Sequence, residues 1–232
     1  MNILPERLPL LGEDLSRKGA LTRLTADGLV AGRLLKECDY DSLVVNCLPE
    51  VSEALRHADV IGSASTLMHL RARGAHDGSP KQVMRIDVLC AEVDEETEEF
   101  RRFVIFEDKL FRSPEAHRDV LGQILDYRVA LRDIGLDTMA SLLHDEQQAW
   151  VTANRDLMRD ALRNGKFLLV VCGDRIKPRL LKYLRDLGEQ MDPMFAADFA
   201  VLSLALFSHE TTHLLIPHVV VRTEVKRWLK ID

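Results

Sequence analysis

The chain has 232 residues, of which 47% are hydrophobic and 29% are charged, and it carries a formal net charge of −6. This balance indicates a soluble globular protein, and no apolar run reaches the roughly 20 residues that a membrane span needs. The negative charge counts against a protein that coats nucleic acid by bulk electrostatics, although it leaves room for a carboxylate metal site. Because Pro5, Glu6 and Arg7 interrupt the N-terminal apolar stretch, it does not look like a signal peptide, and we expect a cytoplasmic protein without membrane contact.

The cysteines are scattered along the chain and include no C-x-x-C pair. They are Cys38, Cys47, Cys90 and Cys172. In a reducing compartment such residues are usually buried as small hydrophobic side chains. We therefore expect neither disulfide bonds nor a zinc cluster.

The first part of the chain is predicted to be mainly helical. Apolar residues recur at helical spacing over residues 12–37, and a short second helix is predicted over residues 50–58. Between them, the apolar run 42–48 predicts a strand that ends at Pro49, because proline cannot donate to a strand ladder. The turn-forming residues of 74–80 (GAHDGSP) close this part of the chain.

The next region is predicted to be a β-hairpin. Residues 83–91 (VMRIDVLCA) and 103–110 (FVIFEDKL) have the β-branched and aromatic composition of strands. The stretch 92–99 between them contains six carboxylates. We interpret this acidic stretch as the solvated tip of the hairpin, with a metal-binding loop as the alternative.

The remaining residues predict alternating helices and strands. Ser113 and Pro114 have the types preferred at a helix start, and the helix is predicted to run to about Ile134. Further along, the pattern predicts a helix over 138–163 that ends at Asn164-Gly165, a buried strand over 167–172, a helix over 176–187, and closing strands over 199–207 and 213–222. The order predicts an α/β fold with a mixed β-sheet flanked by helices. We expect residues 1–75 to form the mainly helical N-terminal part and residues 76–232 to form the core.

Three charged residues of the predicted hairpin form a candidate catalytic group. Alternate residues of a strand share a face, so Glu107 and Lys109 project from one face while Asp108 projects from the other. If the preceding strand pairs with this one, Asp87 comes alongside. Packing of an apolar core does not select two carboxylates and an ammonium group on neighbouring strands.

These residue types suit phosphodiester hydrolysis, which requires charge neutralisation on the phosphate and an activated water. Mg²⁺ serves both needs and prefers a few carboxylate oxygens together with water. Asp87 and Glu107 would be the ligands, with the backbone carbonyl of Asp108 as a third. Lys109 would orient or deprotonate the attacking water and stabilise the developing charge.

The helix that follows carries two more candidates. Gln123 and Tyr127 are four residues apart, so they lie on one helical face, from which they could reach the metal site or a phosphate. The stretch RIDVL, VIFEDKL and EAHRDVLGQILDY resembles the PD-(D/E)XK, or restriction-endonuclease-like, nuclease superfamily, in particular members with a RecB-type Q-x-x-x-Y helix. The resemblance covers residues 83–172.

The resemblance implies a restriction-endonuclease-like α-β-β-β-α-β core that depends on Mg²⁺ or Mn²⁺. It implies site roles for Asp87, Glu107, Lys109, Gln123 and Tyr127, and we expect a nuclease that cleaves DNA. The alternative is a catalytically silent module of the same fold that binds nucleic acid or a protein partner. The sequence leaves open whether the substrate is RNA, whether the chain forms a homodimer and whether it binds a protein partner.

Two features depart from the pattern of this superfamily. The residue between Glu107 and Lys109 is usually apolar, but here Asp108 occupies the packed side of the strand and must find a partner, reach solvent or mark an edge. Members of the superfamily also often carry a carboxylate on the first helix. Glu37, Glu50 and Glu53 are the candidates for that carboxylate.

A second motif lies near the end of the sequence. His209-Glu210-Thr211-Thr212-His213 matches the H-E-x-x-H signature, in which two histidines on one helical face bind zinc. The residues after it are mostly β-branched, and Pro217 would break a helix that continued. We therefore predict a polar hairpin turn here, with a zinc peptidase as the weaker alternative.

Overall fold

In the computed structural model of the chain, the sheet and its flanking helices are described, with gaps between them. The described residues are 22–24, 29–30, 33–34, 37–71, 86–108, 119–173, 176, 178–182, 198–209 and 212–222. They form a mixed β-sheet with helices on both faces. The predicted α/β class is therefore confirmed.

The secondary-structure elements follow one another in an alternating order. The strands are β1 (Thr22–Leu24), β2 (Leu29–Val30), β3 (Arg33–Leu34), β4 (Ser65–His69), β5 (Val88–Asp94), β6 (Phe100–Asp108), β7 (Phe167–Gly173), β8 (Asp198–His209) and β9 (Thr212–Arg222). The helices are α1 (Glu37–Asn46), α2 (Leu48–His57), α3 (Asp119–Ile134), α4 (Leu136–Leu142), α5 (Gln148–Ala153) and α6 (Arg155–Asn164), with a 3₁₀ turn at Asp145–Gln147. Residues 178–182 are also helical.

The main sheet has seven strands in a mixed arrangement. Its order is β1-β8-β7-β6-β5-β4, and β9 pairs with β8. The strands β4, β5 and β6 form an antiparallel meander, whereas β6, β7 and β8 are parallel. Because a parallel connection requires a crossover, α3 to α6 span the distance between β6 and β7. The separate pair of β2 with β3 is antiparallel.

Alternation along the central strands divides the core into two clusters. Val104 and Phe106 of β6 belong to the cluster that packs against α1 and α2, which we call the α1 face. Phe103 and Ile105 belong to the cluster on the other side, which includes residues of α3, α4 and α6 and which we call the α3 face. Since these four residues are at most 1% exposed, β6 is a central strand covered on both sides.

Two predictions for the N-terminal part were wrong. The helix predicted over 12–37 includes three short strands among its described residues, β1, β2 and β3. The strand predicted over 42–48 is instead largely α1. Leu43, Val44, Cys47 and Leu48 are all buried, and this spacing of apolar residues fits a helix that packs one side against the sheet. The short helix predicted over 50–58 is confirmed as α2.

The predicted strands of the core are confirmed with shifts of a few residues. β5, β6 and β7 lie where strands were predicted, and β8 and β9 form the closing antiparallel pair. The helix predicted to end at Ile134 does so, although its predicted start at Ser113 lies outside the described residues. The prediction of a single helix over 138–163 is wrong, because α4, the 3₁₀ turn, α5 and α6 share that stretch. Helix α6, the last of these elements, ends as expected at Gly165, which adopts a left-handed conformation with φ 66°.

The acidic stretch 92–99, which begins inside β5, is only in part a solvated tip. Glu95, Glu96 and Thr97 are exposed. In contrast, Glu92 is 4% exposed and Asp94 is 8% exposed. Both are bound to arginines, Glu92 to Arg102 and Asp94 to Arg101. The prediction was therefore wrong for these two residues, whose charge is compensated inside the fold.

Three residues of the H-E-x-x-H motif, His209, Thr212 and His213, lie on paired antiparallel strands. His209 ends β8 and pairs with Thr212 at the start of β9, and His213 pairs with Ser208. The described residues of this motif are thus on two antiparallel strands, as predicted, and do not share the helical face that the zinc-peptidase arrangement needs. The boundary predicted near residue 75 lies outside the described residues.

The described cysteines behave as small core residues. Cys47, Cys90 and Cys172 are free and buried, as predicted. Within the described part of the chain, none of the helices is both long enough and apolar enough to cross a membrane.

Candidate metal and catalytic site

The described site residues of the predicted hairpin meet at one end of the sheet. The last register pair of β5 with β6 joins Val88 to Phe106. Asp87 lies one residue beyond that pair, so the antiparallel register places it opposite Glu107. The backbone N–H of Asp108 donates to Oδ2 of Asp87 at 3.0 Å. The end of β6 and the start of β5 are therefore tied together by the Asp87 carboxylate.

Glu107 and Asp108 project to opposite faces of the sheet. Side chains alternate between the two faces along β6, so Glu107 lies on the same face as Phe103 and Ile105, the α3 face. Glu107 is 1% exposed. Asp108 follows Phe106 on the α1 face and is fully buried at 0% exposed. Asp87 at the strand end is exposed to solvent. The site thus has one exposed carboxylate and a buried one on each side of the sheet.

Helix α3 brings the two predicted helical residues to the same face as Glu107. Tyr127 is 9% exposed and belongs to the cluster on the α3 face, together with Leu131 one turn later. Gln123 lies one turn before Tyr127 and is half-buried. Its Oε1 atom is buried, and no described residue donates a hydrogen bond to it. A buried amide oxygen without a donor is costly, so it is a feature that a ligand or water would stabilise.

Asp108 has found a partner on the α1 face. Burial raises the pKa of the Asp108 carboxyl well above its usual range, and a hydrogen bond with Asp41 acts in the same direction. The negative charges of Asp41 and Asp87 raise this pKa further, whereas a hydrogen bond with Cys172 opposes the shift. Burial next to other carboxylates therefore favours the protonated form of Asp108, whose O–H can donate to Asp41.

Cys172 lies beside Asp108 on the neighbouring strand and does not have the properties of a nucleophile. The two residues form a register pair of β6 with β7. Complete burial raises the pKa of the Cys172 thiol well above its usual range, and the adjacent carboxyl of Asp108 adds to this effect. A thiol held in its neutral form is a packing group with weak hydrogen bonding, because the thiolate is the reactive form.

Asp41 is a member of this group that the sequence predictions missed. It lies on α1, three residues before the buried Val44 of the same helix. Because residues three apart share a helical face, that spacing identifies Asp41 as facing the sheet once the segment is known to be helical. The strand predicted over 42–48 hides this spacing.

The other first-helix carboxylates lie elsewhere or outside the described side chains. Glu53 lies 3.9 Å from His57 on an exposed face of α2. Glu50 is near Cys47, whose pKa burial raises to about 11, with a smaller contribution from the Glu50 charge. The side chain of Glu37 is not among those described.

The donors at this sheet end suit a hard cation that keeps part of its water shell. Among the described residues, no three His, Cys, Asp or Glu side chains form a set that could hold a metal ion. Asp87 and Glu107 instead supply two carboxylates, and the backbone carbonyl of Asp108 would be a third oxygen. Mg²⁺ binds through one or two carboxylates with several waters, so these residues fit it. Lys109 lies outside the described residues.

Comparison of the chain with protein-family models, with curated proteins and with solved structures finds no match. A fold class alone does not imply an activity, so the residues of the site must indicate the function.

Proposed function

We propose that this protein is a metal-dependent nuclease that hydrolyses phosphodiester bonds in DNA. The hydrogen bond from the Asp108 N–H to Asp87 Oδ2, at 3.0 Å, carries this proposal. It joins the two strands at the point where Asp87 and Glu107 are opposite each other. Two carboxylates on adjacent strand ends are the donors that a Mg²⁺- or Mn²⁺-dependent hydrolase needs.

Each residue has a distinct role in this proposal. Asp87 and Glu107 hold the divalent cation, which supplies positive charge to neutralise the scissile phosphate and acidify water. Lys109 follows Glu107 by two residues, orients the attacking water and stabilises the charge that develops on the phosphate. Gln123 offers its buried Oε1 to a water or ligand on the same face, and Tyr127 packs below it against the sheet.

The order of the elements supports the proposal. Two helices, α1 and α2, precede the antiparallel meander of β4, β5 and β6, and helices then lead to β7, which is parallel to β6. This is the α-β-β-β-α-β order that the resemblance to PD-(D/E)XK nucleases implies. A cytoplasmic location, in keeping with the free described cysteines, is part of the proposal.

A catalytically silent binding module of similar architecture is the second candidate. Asp108 favours it, because a buried carboxyl occupies a position that is usually apolar in the active superfamily. The net charge of −6 favours a protein partner over extended contact with nucleic acid. Such a module would retain the fold, and its binding to a partner would not depend on Asp87 and Glu107.

The test is cleavage of single-stranded and double-stranded plasmid DNA with Mg²⁺, Mn²⁺, Zn²⁺ or EDTA. The key variant is Lys109→Ala. Its matched control is Lys166→Ala, because Lys166 is exposed and pairs with Asp160 at the other end of β7. We expect Mg²⁺- or Mn²⁺-dependent cleavage that Lys109→Ala abolishes and Lys166→Ala preserves. Cleavage by Lys109→Ala at the rate of the unmodified chain would refute the assigned site, and no cleavage under any condition would favour the binding module.

A further inference from the structure

Arg71 lies two residues after the end of β4, and both its N–H and its carbonyl are hydrogen-bonded to residues of the α4–α5 region. The Arg71 N–H donates to Oε1 of Gln147 at 2.9 Å. The Arg71 carbonyl accepts the His144 N–H at 2.8 Å. The other end of the Gln147 amide, Nε2, donates to the carbonyl of His69 at 2.7 Å. The Gln147 side chain thus bonds the edge of β4 as a neighbouring strand would, and it fixes the backbone at Arg71.

This fixed residue lies at the same end of the sheet as the proposed metal site. His69 pairs with Cys90, and the Leu70 N–H donates to the Leu89 carbonyl. Continuing this register by one residue places Arg71 beside Val88, the residue after Asp87. Val88 in turn pairs with Phe106, next to Glu107. Neighbouring strands are about 4.8 Å apart, so the Arg71 backbone is on the order of 10 Å from the end of β6.

The side chain of Arg71 is exposed and available for a ligand. Three other arginines, Arg56, Arg101 and Arg102, pair with carboxylates. For Arg71, no such ion pair forms with a carboxylate of the described residues. Burial lowers the pKa of the nearby His69, and the positive charge of Arg71 lowers it further. Arg71 therefore presents an exposed positive charge at the end of the sheet that carries the site, on the α1 face that it shares with Val88.

A substrate phosphate that approaches this end meets several carboxyl groups. Asp87, Glu107 and Asp108 lie at the adjoining ends of β5 and β6, and Asp41 in the middle of α1 contacts Asp108. Nucleic acid carries one negative charge per phosphate, so acidic groups around the site oppose its approach. A divalent cation offsets this repulsion at the scissile phosphate, whereas the neighbouring phosphates need other positive charges.

We propose that the Arg71 guanidinium binds a phosphate of the substrate strand next to the scissile one and so anchors the strand across the sheet end. This inference rests on the proposed nuclease function and adds a substrate-binding residue to it. Guanidinium groups bind phosphate oxygens through two parallel hydrogen bonds. Because Gln147 and His144 hold the backbone at Arg71, its side chain starts from a fixed point, which lowers the entropic cost of binding.

The experiment compares Arg71→Gln with a matched control, Arg163→Gln. Arg163 is exposed near the end of α6, which leads into the opposite end of β7, and its substitution removes the same charge. Binding of a fluorescein-labelled oligonucleotide is measured by anisotropy in EDTA over a series of salt concentrations. Cleavage of the same oligonucleotide is then measured in Mg²⁺, and circular dichroism checks that each variant is folded.

For Arg71→Gln we expect Kd and KM to rise about five- to tenfold, with kcat within about twofold of the unmodified chain. The slope of log Kd against log salt should fall by about one, as for the loss of one phosphate contact. Arg163→Gln should leave the slope and KM unchanged. The main-chain bonds of Arg71 do not involve its side chain, so the variant should fold.

The outcomes separate this inference from the proposed function. If the unmodified chain cleaves DNA and both variants have the same salt slope as it does, the Arg71 inference fails while the nuclease stands. If the unmodified chain binds without cleaving and Arg71→Gln lowers the slope, Arg71 binds phosphate in a protein that is not a nuclease. A chain that neither binds nor cleaves overturns both.

Discussion

The carboxyl of Asp108, at the end of β6, shares a hydrogen bond with the carboxylate of Asp41 on α1. Asp108 is fully buried, and Cys172 on β7 lies beside it. Two carboxyl groups in contact are stable only when a proton is shared between them or a cation neutralises them. This contact joins the first helix to the strand that carries Glu107, so packing on the α1 face and the site on the α3 face are linked through β6.

Asp108→Asn should raise stability by an amount that grows with pH. The pKa of Asp108 is higher in the folded chain, so the folded state keeps a proton that the unfolded state releases above about pH 4. The unmodified chain therefore loses stability as the pH rises from about 4 towards the folded pKa, by up to about 1.4 kcal/mol per pH unit. An asparagine does not titrate, and its amide N–H can still donate to Asp41.

Urea unfolding at pH 5 and pH 8 tests this expectation. The gain of Asp108→Asn over the unmodified chain should be larger at pH 8. The control is Asp156→Asn, at an exposed carboxylate on α6 that should give the same small effect at both pH values. An equal effect of Asp108→Asn at the two pH values would show that Asp108 is ionised in the folded state.

Divalent cations should stabilise the protein through Asp87 and Glu107. A ligand that binds only the folded state stabilises it by about 2.7 kcal/mol when its concentration is 100 times Kd. We expect Mn²⁺ to raise Tm in the unmodified chain and to have little effect on Asp87→Asn or Glu107→Gln. The matched control is Glu96→Gln in the exposed acidic turn, which should keep the full Mn²⁺ effect. Loss of the effect in Glu96→Gln instead would place the ion at that turn.

Arg102 should be among the largest single contributors to stability outside the site. Its guanidinium binds Glu92, Asp198 and the carbonyl of Val60, and its side chain is 17% exposed. Arg102→Met would leave the buried Glu92 without its cation, and we expect a loss of about 3 kcal/mol in the free energy of unfolding.

The control for Arg102 is Arg155→Met. Arg155 pairs with Asp137 at 2.6 Å, but the two side chains are 47% and 74% exposed. Solvent screens such a pair, so the loss should be below about 1 kcal/mol. Chemical denaturation of both variants provides the comparison, and equal losses would show that burial of the Arg102 network adds no stability.

Ser52 connects α2 to β4, and its removal should be costly. Its hydroxyl donates to the Leu48 carbonyl at 2.7 Å and accepts the Leu67 N–H at 3.1 Å. Ser52→Ala would leave the Leu67 N–H buried without an acceptor, which costs about 1–3 kcal/mol. Ser141→Ala removes a similar bond, to the Thr138 carbonyl on an exposed helix, and should cost far less. Thermal unfolding of the two variants should show the difference, and similar Tm values would contradict it.

Two glycines should respond in opposite directions to alanine. Gly122 is exposed within α3, and a Cβ there would meet no atom within 4 Å, so Gly122→Ala should stabilise by about 0.5–1 kcal/mol. Gly135 has φ 72° and ψ 157°, a conformation almost restricted to glycine. Gly135→Ala should therefore destabilise by about 1–3 kcal/mol. Denaturant midpoints measure both effects, and a stabilising Gly135→Ala would show that the α3–α4 junction can relax.

The sequence by itself determined the elements whose pattern depends on neighbours along the chain. β6 follows from the β-branched and aromatic composition of its residues, and the alternation of side chains along any strand places Glu107 and Asp108 on opposite faces whatever surrounds them. The spacing of Gln123 and Tyr127 likewise fixes a shared helical face, and Gly165 ends α6 because glycine tolerates the left-handed conformation. The sequence also indicated an Asp87–Glu107 site, because each of these residues could be placed on or next to its own predicted strand of one hairpin.

Tertiary structure decided which elements meet and which charges are compensated. The run 42–48 is apolar enough for either a strand or a helix, and packing on the α1 face selects the helix that brings Asp41 to Asp108. The contacts of Glu92 with Arg102, and of Arg71 with Gln147, join residues 10 and 76 positions apart along the chain. Partners so distant leave no periodic signal in the sequence, because burial and charge pairing depend on three-dimensional distance and not on spacing along the chain.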